Sequence, residues 1–143
     1  MENQNLNILD EVNKGATMGM DAISYVSDKV TDDNFKHVLD TEYKKYEKIS
    51  ERVNDLYSNY SDKEPHETNA MNKAMTWYGI EMKTLLDKST SKIAELLIEG
   101  TNMGIIEGRK ILNNKEINDE IHSIAQEYVS MQESAVEKLK TFL

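Results

Sequence analysis

The sequence predicts an all-α fold, an antiparallel helical bundle in which two long helical hairpins are joined by a crossover helix. Apolar residues recur at alternating steps of three and four along most of the chain, which is the spacing of one face of an α-helix. The period-two alternation of a half-buried β-strand is missing. The 143 residues contain a single proline and six glycines, so few positions interrupt helices. A chain of this length is predicted to form one domain, residues 1–143, around a single core.

The first hairpin is predicted over residues 5–61. Its two helices are separated by segment 31–34, Thr-Asp-Asp-Asn, whose side chains are good N-caps for the second helix. Because so short a turn joins two long helices, they must be antiparallel neighbours. The apolar stripes are Leu9, Val12, Ala16, Gly19, Ile23, Val26 and Val30 in the first helix, and Phe35, Leu39, Glu42, Tyr46, Ile49, Val53, Leu56 and Tyr60 in the second.

A crossover helix is predicted over residues 67–88 and a second hairpin over residues 91–142. The loop before the crossover helix holds Pro65. The polar break at 87–91, Asp-Lys-Ser-Thr-Ser, offers a serine or threonine as the cap of a new helix. Asn113-Asn114 predicts the turn inside the second hairpin. The stripes are Met71, Met75, Tyr78, Met82 and Leu85 in the crossover helix, then Ile93, Leu97, Gly100, Gly104 and Ile111, and finally Ile117, Ile121, Ile124, Tyr128, Met131, Ala135, Leu139 and Phe142.

Composition and charge exclude several classes of function. Acidic residues outnumber basic ones 26 to 17, giving a net charge of −9, so no nucleic-acid partner is expected. The absence of cysteine excludes a disulfide scaffold, an iron–sulfur cluster, a thiolate zinc site and a cysteine nucleophile. No apolar stretch is long enough to span a membrane, and no signal peptide is recognisable, so we expect a cytoplasmic protein without a membrane partner. The lysine-rich, asparagine-rich composition is typical of an AT-rich bacterial genome.

The two hairpins carry similar residues at matching positions. Gly15-Ala-Thr-Met-Gly19 aligns with Gly100-Thr-Asn-Met-Gly104, and the same displacement places Glu42-Tyr43 on Glu127-Tyr128. An internal duplication explains this clustering, but two amphipathic hairpins of equal length can also share small and aromatic residues by chance. Glycine inside a helix is destabilising by about 1 kcal/mol relative to alanine, so these glycines predict close helix packing, with Tyr43 and Tyr128 as fillers.

Two helical hairpins with a long crossover and weak internal twofold symmetry resemble the ferritin-like superfamily of four-helix bundles. The segment Asp87-Lys-Ser-Thr-Ser-Lys-Ile-Ala-Glu95, running into Ile98-Glu-Gly-Thr-Asn-Met-Gly104, is similar to a clostridial group of ferritin-like proteins. The resemblance implies a ferritin-like bundle over nearly the whole chain. Members of that superfamily that hold a carboxylate-bridged metal pair often oxidise iron, store iron or carry out dioxygen chemistry. The resemblance therefore implies such chemistry only if this chain supplies the metal ligands.

The expected di-iron ligand set is incomplete in this chain. Such a bundle needs a core-facing Glu on two helices and Glu-x-x-His on the other two. The residue three positions after Glu42 is Lys45, and the residue three positions after Glu127 is Ser130. The acid-x-x-His match that ends at His122 lies off the apolar stripe. A standard di-iron centre is therefore not expected.

A carboxylate-only metal site is the remaining possibility for metal chemistry. Glu42 is the only charged residue of its apolar stripe, and a buried, unpaired carboxylate is strongly destabilising. Glu42, Glu99 and Glu127 are the candidate metal ligands if the hairpins pack symmetrically. The competing interpretation is that Glu42 bonds a tyrosine hydroxyl or a lysine across a helix interface, or lies at a frayed edge of the bundle. An organic ligand in place of a metal is the third alternative.

Two functional classes follow from these patterns. The favoured one is a non-catalytic ferritin-like bundle without a cofactor, which acts by assembling into a homo-oligomer or by binding a protein partner. It predicts that Trp77, or the crossover-helix face that carries it, is shielded in the assembly. The alternative is a ferritin-like storage protein or oxidase that binds iron or manganese through carboxylates alone.

Overall fold

The computed structural model describes residues 2–61, 65, 79–80, 87–114 and 116–143, and four α-helices account for most of them. The helices are α1 (Glu2–Ser27), α2 (Asp33–Tyr57), α3 (Thr90–Leu112) and α4 (Asp119–Lys140). Because these ranges contain no β-strand, the prediction of an all-α fold is confirmed for them. Most of the crossover helix predicted over 67–88, including Trp77, lies outside the described residues. No helix of the described ranges is both long and apolar enough to cross a membrane.

Three of the helices begin at a polar side chain that caps the first turn. Asp32 accepts a hydrogen bond from the Phe35 backbone N–H at 2.8 Å, and Ser89 accepts one from Lys92 N–H at 3.1 Å. Asn118 caps α4 in the same way, with Ile121 N–H at 2.9 Å. Each cap satisfies one of the N–H groups that a helix start leaves unpaired. The caps predicted in segments 31–34 and 87–91 are confirmed.

Contacts between α2 and α4 show that these two helices are antiparallel. Phe35, at the start of α2, packs on Phe142 just beyond α4, with ring centroids 4.6 Å apart. At the other end, the Asn118 side chain donates to the Tyr60 hydroxyl at 2.7 Å. Gly104 of α3 lies against Gln132 of α4, and Gly108, one turn later, lies against the earlier residue Val129, so α3 and α4 are also antiparallel. It follows that α2 and α3 point in the same direction.

The predicted apolar stripes form the core between the four helices. The structure differs from the stripes at two places. At the end of the α2 stripe, Tyr57 is buried, whereas Leu56 and Tyr60 are half-buried; in the middle of the α3 stripe, Gly100 is exposed. The stripe residues that the structure buries are Leu9, Val12, Ala16, Ile23, Val26 and Val30 in and just after α1, Phe35, Leu39, Glu42, Tyr46, Ile49 and Val53 in α2, Ile93 and Leu97 in α3, and Ile121, Ile124, Tyr128, Met131, Ala135 and Leu139 in α4.

Candidate functional site

Glu42 is buried in the middle of the bundle, with 3% of its surface exposed. Its Oε1 atom accepts hydrogen bonds from the ammonium groups of Lys45 and Lys138, each at 3.3 Å. Lys45 follows on the next turn of α2, and Lys138 reaches across from α4. Both lysine side chains keep more than a third of their surface in solvent, so they neutralise the carboxylate without being fully desolvated themselves.

A layer of uncharged polar side chains lies next to this ion-pair cluster. We define the polar layer as Tyr46, Tyr128 and Gln132, all of which are buried. The Tyr46 hydroxyl, one helical turn after Glu42, donates to Gln132 Oε1 at 3.3 Å. Two buried atoms at this level have no hydrogen-bond partner among the described residues, namely Glu42 Oε2 and Gln132 Nε2. An unpaired buried polar atom is destabilising by about 1–3 kcal/mol, so each of these two atoms contributes unfavourably to the stability of the fold.

Glycines make room for the two tyrosine rings. A Cβ atom placed on Gly19 would lie 2.6 Å from two ring atoms of Tyr46. One placed on Gly15 would lie 2.8 Å from Cζ of Tyr128, and one on Gly104 would lie 3.1 Å from the Tyr128 hydroxyl. The predicted close packing is therefore confirmed at these positions, with Tyr128 as one filler.

Two details of the glycine prediction differ from the structure. The ring that packs against Gly19 belongs to Tyr46, not to Tyr43, which is half-buried one turn earlier on α2. Gly100 has no atom of the described residues within 4 Å of its hypothetical Cβ, so nothing in that part of the chain packs closely against it. The stripe predicted which side of each helix faces inward, but not which aromatic ring fills each space.

Burial keeps both tyrosines of the polar layer protonated. It raises the pKa of Tyr128 to about 12, although the hydrogen bond with Gln132 opposes the shift. Burial, followed by the proximity of Tyr128, also raises the pKa of Tyr46 well above its ordinary value. Because both phenols are neutral near pH 7, they act as hydrogen-bond groups there and not as phenolate ligands.

These raised pKa values predict that the protein loses stability above about pH 10. The unfolded chain releases the two phenolic protons near the ordinary pKa of 10.0, whereas the folded chain retains them. Since the unfolded state then binds fewer protons, each tyrosine lowers the free energy of unfolding by about 1.4 kcal/mol at about pH 11. Urea unfolding between about pH 8 and pH 11 measures this decline. Tyr128→Phe should reduce the fall of the free energy of unfolding with pH, and the control Tyr43→Phe should not. The same fall with pH in the wild type and in both variants would contradict the prediction.

The other two predicted metal ligands lie in different environments. Glu99 is exposed on α3. Glu127 is half-exposed on α4 and forms an ion pair with Arg52 of α2. The described residues contain no group of three or more His, Asp or Glu side chains placed to hold a metal ion. The structure therefore does not bring Glu42, Glu99 and Glu127 together in one such group.

Gln132 is a buried polar residue that the predicted apolar stripes do not contain. A second row of residues on α4 runs through Ala125, Val129, Gln132 and Val136 at steps of four, three and four, and all four are buried. Gln132 is the single polar member of that row, just as Glu42 is the single charged member of its stripe. A search for a lone polar residue in every apolar row of a helix would have found it.

The charges of this interior are balanced by the chain itself. Glu42 is neutralised by lysines, and the polar layer is uncharged at neutral pH. Such an arrangement fixes how α2 and α4 meet, because a hydrogen bond or ion pair made in one register is lost in another.

In comparisons with known proteins, no protein-family model, curated protein or solved structure matches this chain.

Proposed function

We propose that this protein is a non-catalytic, ferritin-like helical bundle that acts by assembling with itself or by binding a protein partner. The neutralisation of Glu42 by Lys45 and Lys138 is the observation that carries the proposal. Where a di-iron bundle would direct carboxylates at a cation, this carboxylate already meets two ammonium groups. A metal ion at Oε1 would have to displace both of them.

The helix directions support the ferritin-like part of the proposal. A bundle made of two antiparallel hairpins joined by one long crossover has its second and third helices parallel. The contacts of α2 and α3 with α4 give this relation. In the proposal, the protein works in the cytoplasm and, with a net charge of −9, has no nucleic-acid partner.

A second candidate function is favoured by one atom of the same site. Glu42 Oε2 is buried and has no hydrogen-bond partner in the described part of the chain, so one carboxylate oxygen remains available to a ligand. Iron or manganese held there would make the protein a carboxylate-only storage protein or oxidase. Glu99 and Glu127 remain the predicted further ligands of that site, and they would have to move toward Glu42.

Thermal unfolding with and without added metal separates the two functions. We expect the melting temperature of the wild-type protein to stay constant within about 1 °C when Fe²⁺ (under anaerobic conditions) or Mn²⁺ is added, because nothing binds the folded state preferentially. A metal present at about 100 times its Kd would stabilise the fold by about 2.7 kcal/mol and raise the melting temperature by several degrees. A rise that Glu42→Gln abolishes and Glu99→Gln weakens would establish the metal-binding function instead.

A further inference from the structure

Helix α3 exposes apolar side chains that no other described part of the chain covers. Met103 is 67% exposed and Ile106 is 54% exposed. Gly100, one turn before Met103, is exposed and has open space above it. In an acidic protein of this size, two large apolar side chains held in solvent on one helix point to an interaction surface.

Charged residues at both ends of this patch give it a direction. Glu99, Met103, Ile106 and Lys110 follow one another at steps of four, three and four, so they share one side of the helix, and all four are exposed. We call these four residues the α3 face. Its order along the helix is acidic, apolar, apolar, basic, which is the pattern of a surface that can pair with itself.

We propose that a second copy of this chain docks antiparallel on the α3 face, about a twofold axis between Met103 and Ile106. An isologous contact repeats each pair twice. In this register Glu99 lies opposite Lys110 of the second copy, and Met103 lies opposite its Ile106. A shift that places Met103 opposite itself would instead bring Glu99 against Glu107, which is electrostatically unfavourable.

The contact that Lys110 makes within its own helix does not prevent this mode of docking. Lys110 now contacts Glu107 of its own helix at 3.4 Å, but both side chains are well exposed. Such a surface pair stabilises the monomer only weakly and is easily exchanged for a pair across the interface. The inference rests on the self-assembling form of the proposed function and names its surface and partner.

Charge exchange on the full-length protein, followed by sedimentation velocity, tests the inference. Glu99→Lys alone and Lys110→Glu alone each place like charges opposite one another twice, so each should raise the dimer Kd by about tenfold or more. The double variant E99K/K110E should recover the wild-type Kd. An equimolar mixture of the two single variants should form a heterodimer, because both of its charge pairs are then attractive. Glu137→Lys, an exposed charge reversal on α4, is the matched control and should leave the Kd unchanged.

Two results would overturn the inference, and both are distinct from failure of the proposed function. A wild-type chain that is monomeric over about 1–100 μM would exclude the dimer while leaving a protein partner as the mode of action. An oligomer that is insensitive to both single variants would exclude the α3 face while leaving self-assembly in place. Failure of the proposed function has a different signature, a metal-dependent rise in melting temperature that requires Glu42.

Discussion

Gly19→Ala is expected to lower the free energy of unfolding by about 2 kcal/mol, although alanine is the better helix former. The new Cβ would lie 2.6 Å from two atoms of the Tyr46 ring. That ring cannot simply turn away, because it is buried and its hydroxyl is bonded to Gln132. Relief of the clash therefore requires either a shift of α1 away from α2 or the loss of a buried hydrogen bond.

Gly100→Ala is the matched control for this substitution. It makes the same chemical change inside a helix, but at a position where no atom of the described residues lies within 4 Å of the new Cβ. We expect it to raise the free energy of unfolding by about 1 kcal/mol, the usual helix-propensity gain. Urea unfolding followed by far-UV circular dichroism gives both values. If Gly19→Ala were as stabilising as Gly100→Ala, the close contact between α1 and the Tyr46 ring would be wrong.

Removing both lysines around Glu42 is expected to destabilise the protein by about 3 kcal/mol at neutral pH. In the double variant Lys45→Met and Lys138→Met, the carboxylate keeps its buried position but loses both charge partners. A buried charge without a partner is among the most destabilising single features of a protein interior. Methionine preserves the length and the apolar stem of each lysine, so the loss reports chiefly on charge.

Adding Glu42→Gln to the double variant should restore most of the lost stability, because no buried charge then remains. Glu42→Gln alone should stay within about 1 kcal/mol of wild type, since the two lysines are partly exposed and can be solvated. Lys44→Met is the control, an exposed lysine of α2 that pairs with Asp40 and should change stability by less than about 0.5 kcal/mol. A double variant as stable as wild type would show that the lysines do not neutralise Glu42.

Much of the fold follows from local sequence signals. The three-and-four spacing identified the inward side of each described helix. The capping side chains of segments 31–34 and 87–91, which include the observed caps Asp32 and Ser89, indicated where α2 and α3 begin. These features depend on neighbouring residues only, through helix periodicity and the unpaired N–H groups of the first turn. They require no knowledge of how the helices pack.

The site was less predictable, because it depends on which helices meet and in which register. Glu42 was recognisable as the one charged residue of its stripe, but its partner Lys138 lies 96 residues further along the chain. Glu127 lies beside the apolar stripe of α4, and its side chain forms an ion pair with Arg52 of α2. Gly100 and Gly104 share one stripe, yet only Gly104 packs closely against α4. A stripe specifies which side of a helix faces the core. How fully each residue of the stripe is covered by a neighbouring helix depends on tertiary packing.

The metal content of the purified protein tests most directly whether lysines or a cation neutralise Glu42. The protein should be expressed with iron, manganese and zinc supplied, purified without chelators or a histidine tag, and measured by elemental analysis. We expect less than about 0.1 metal ion per chain, because the Glu42 charge is already balanced within the fold. About one or two ions per chain, lost in Glu42→Ala, would contradict this account and assign the site to carboxylate-bound metal.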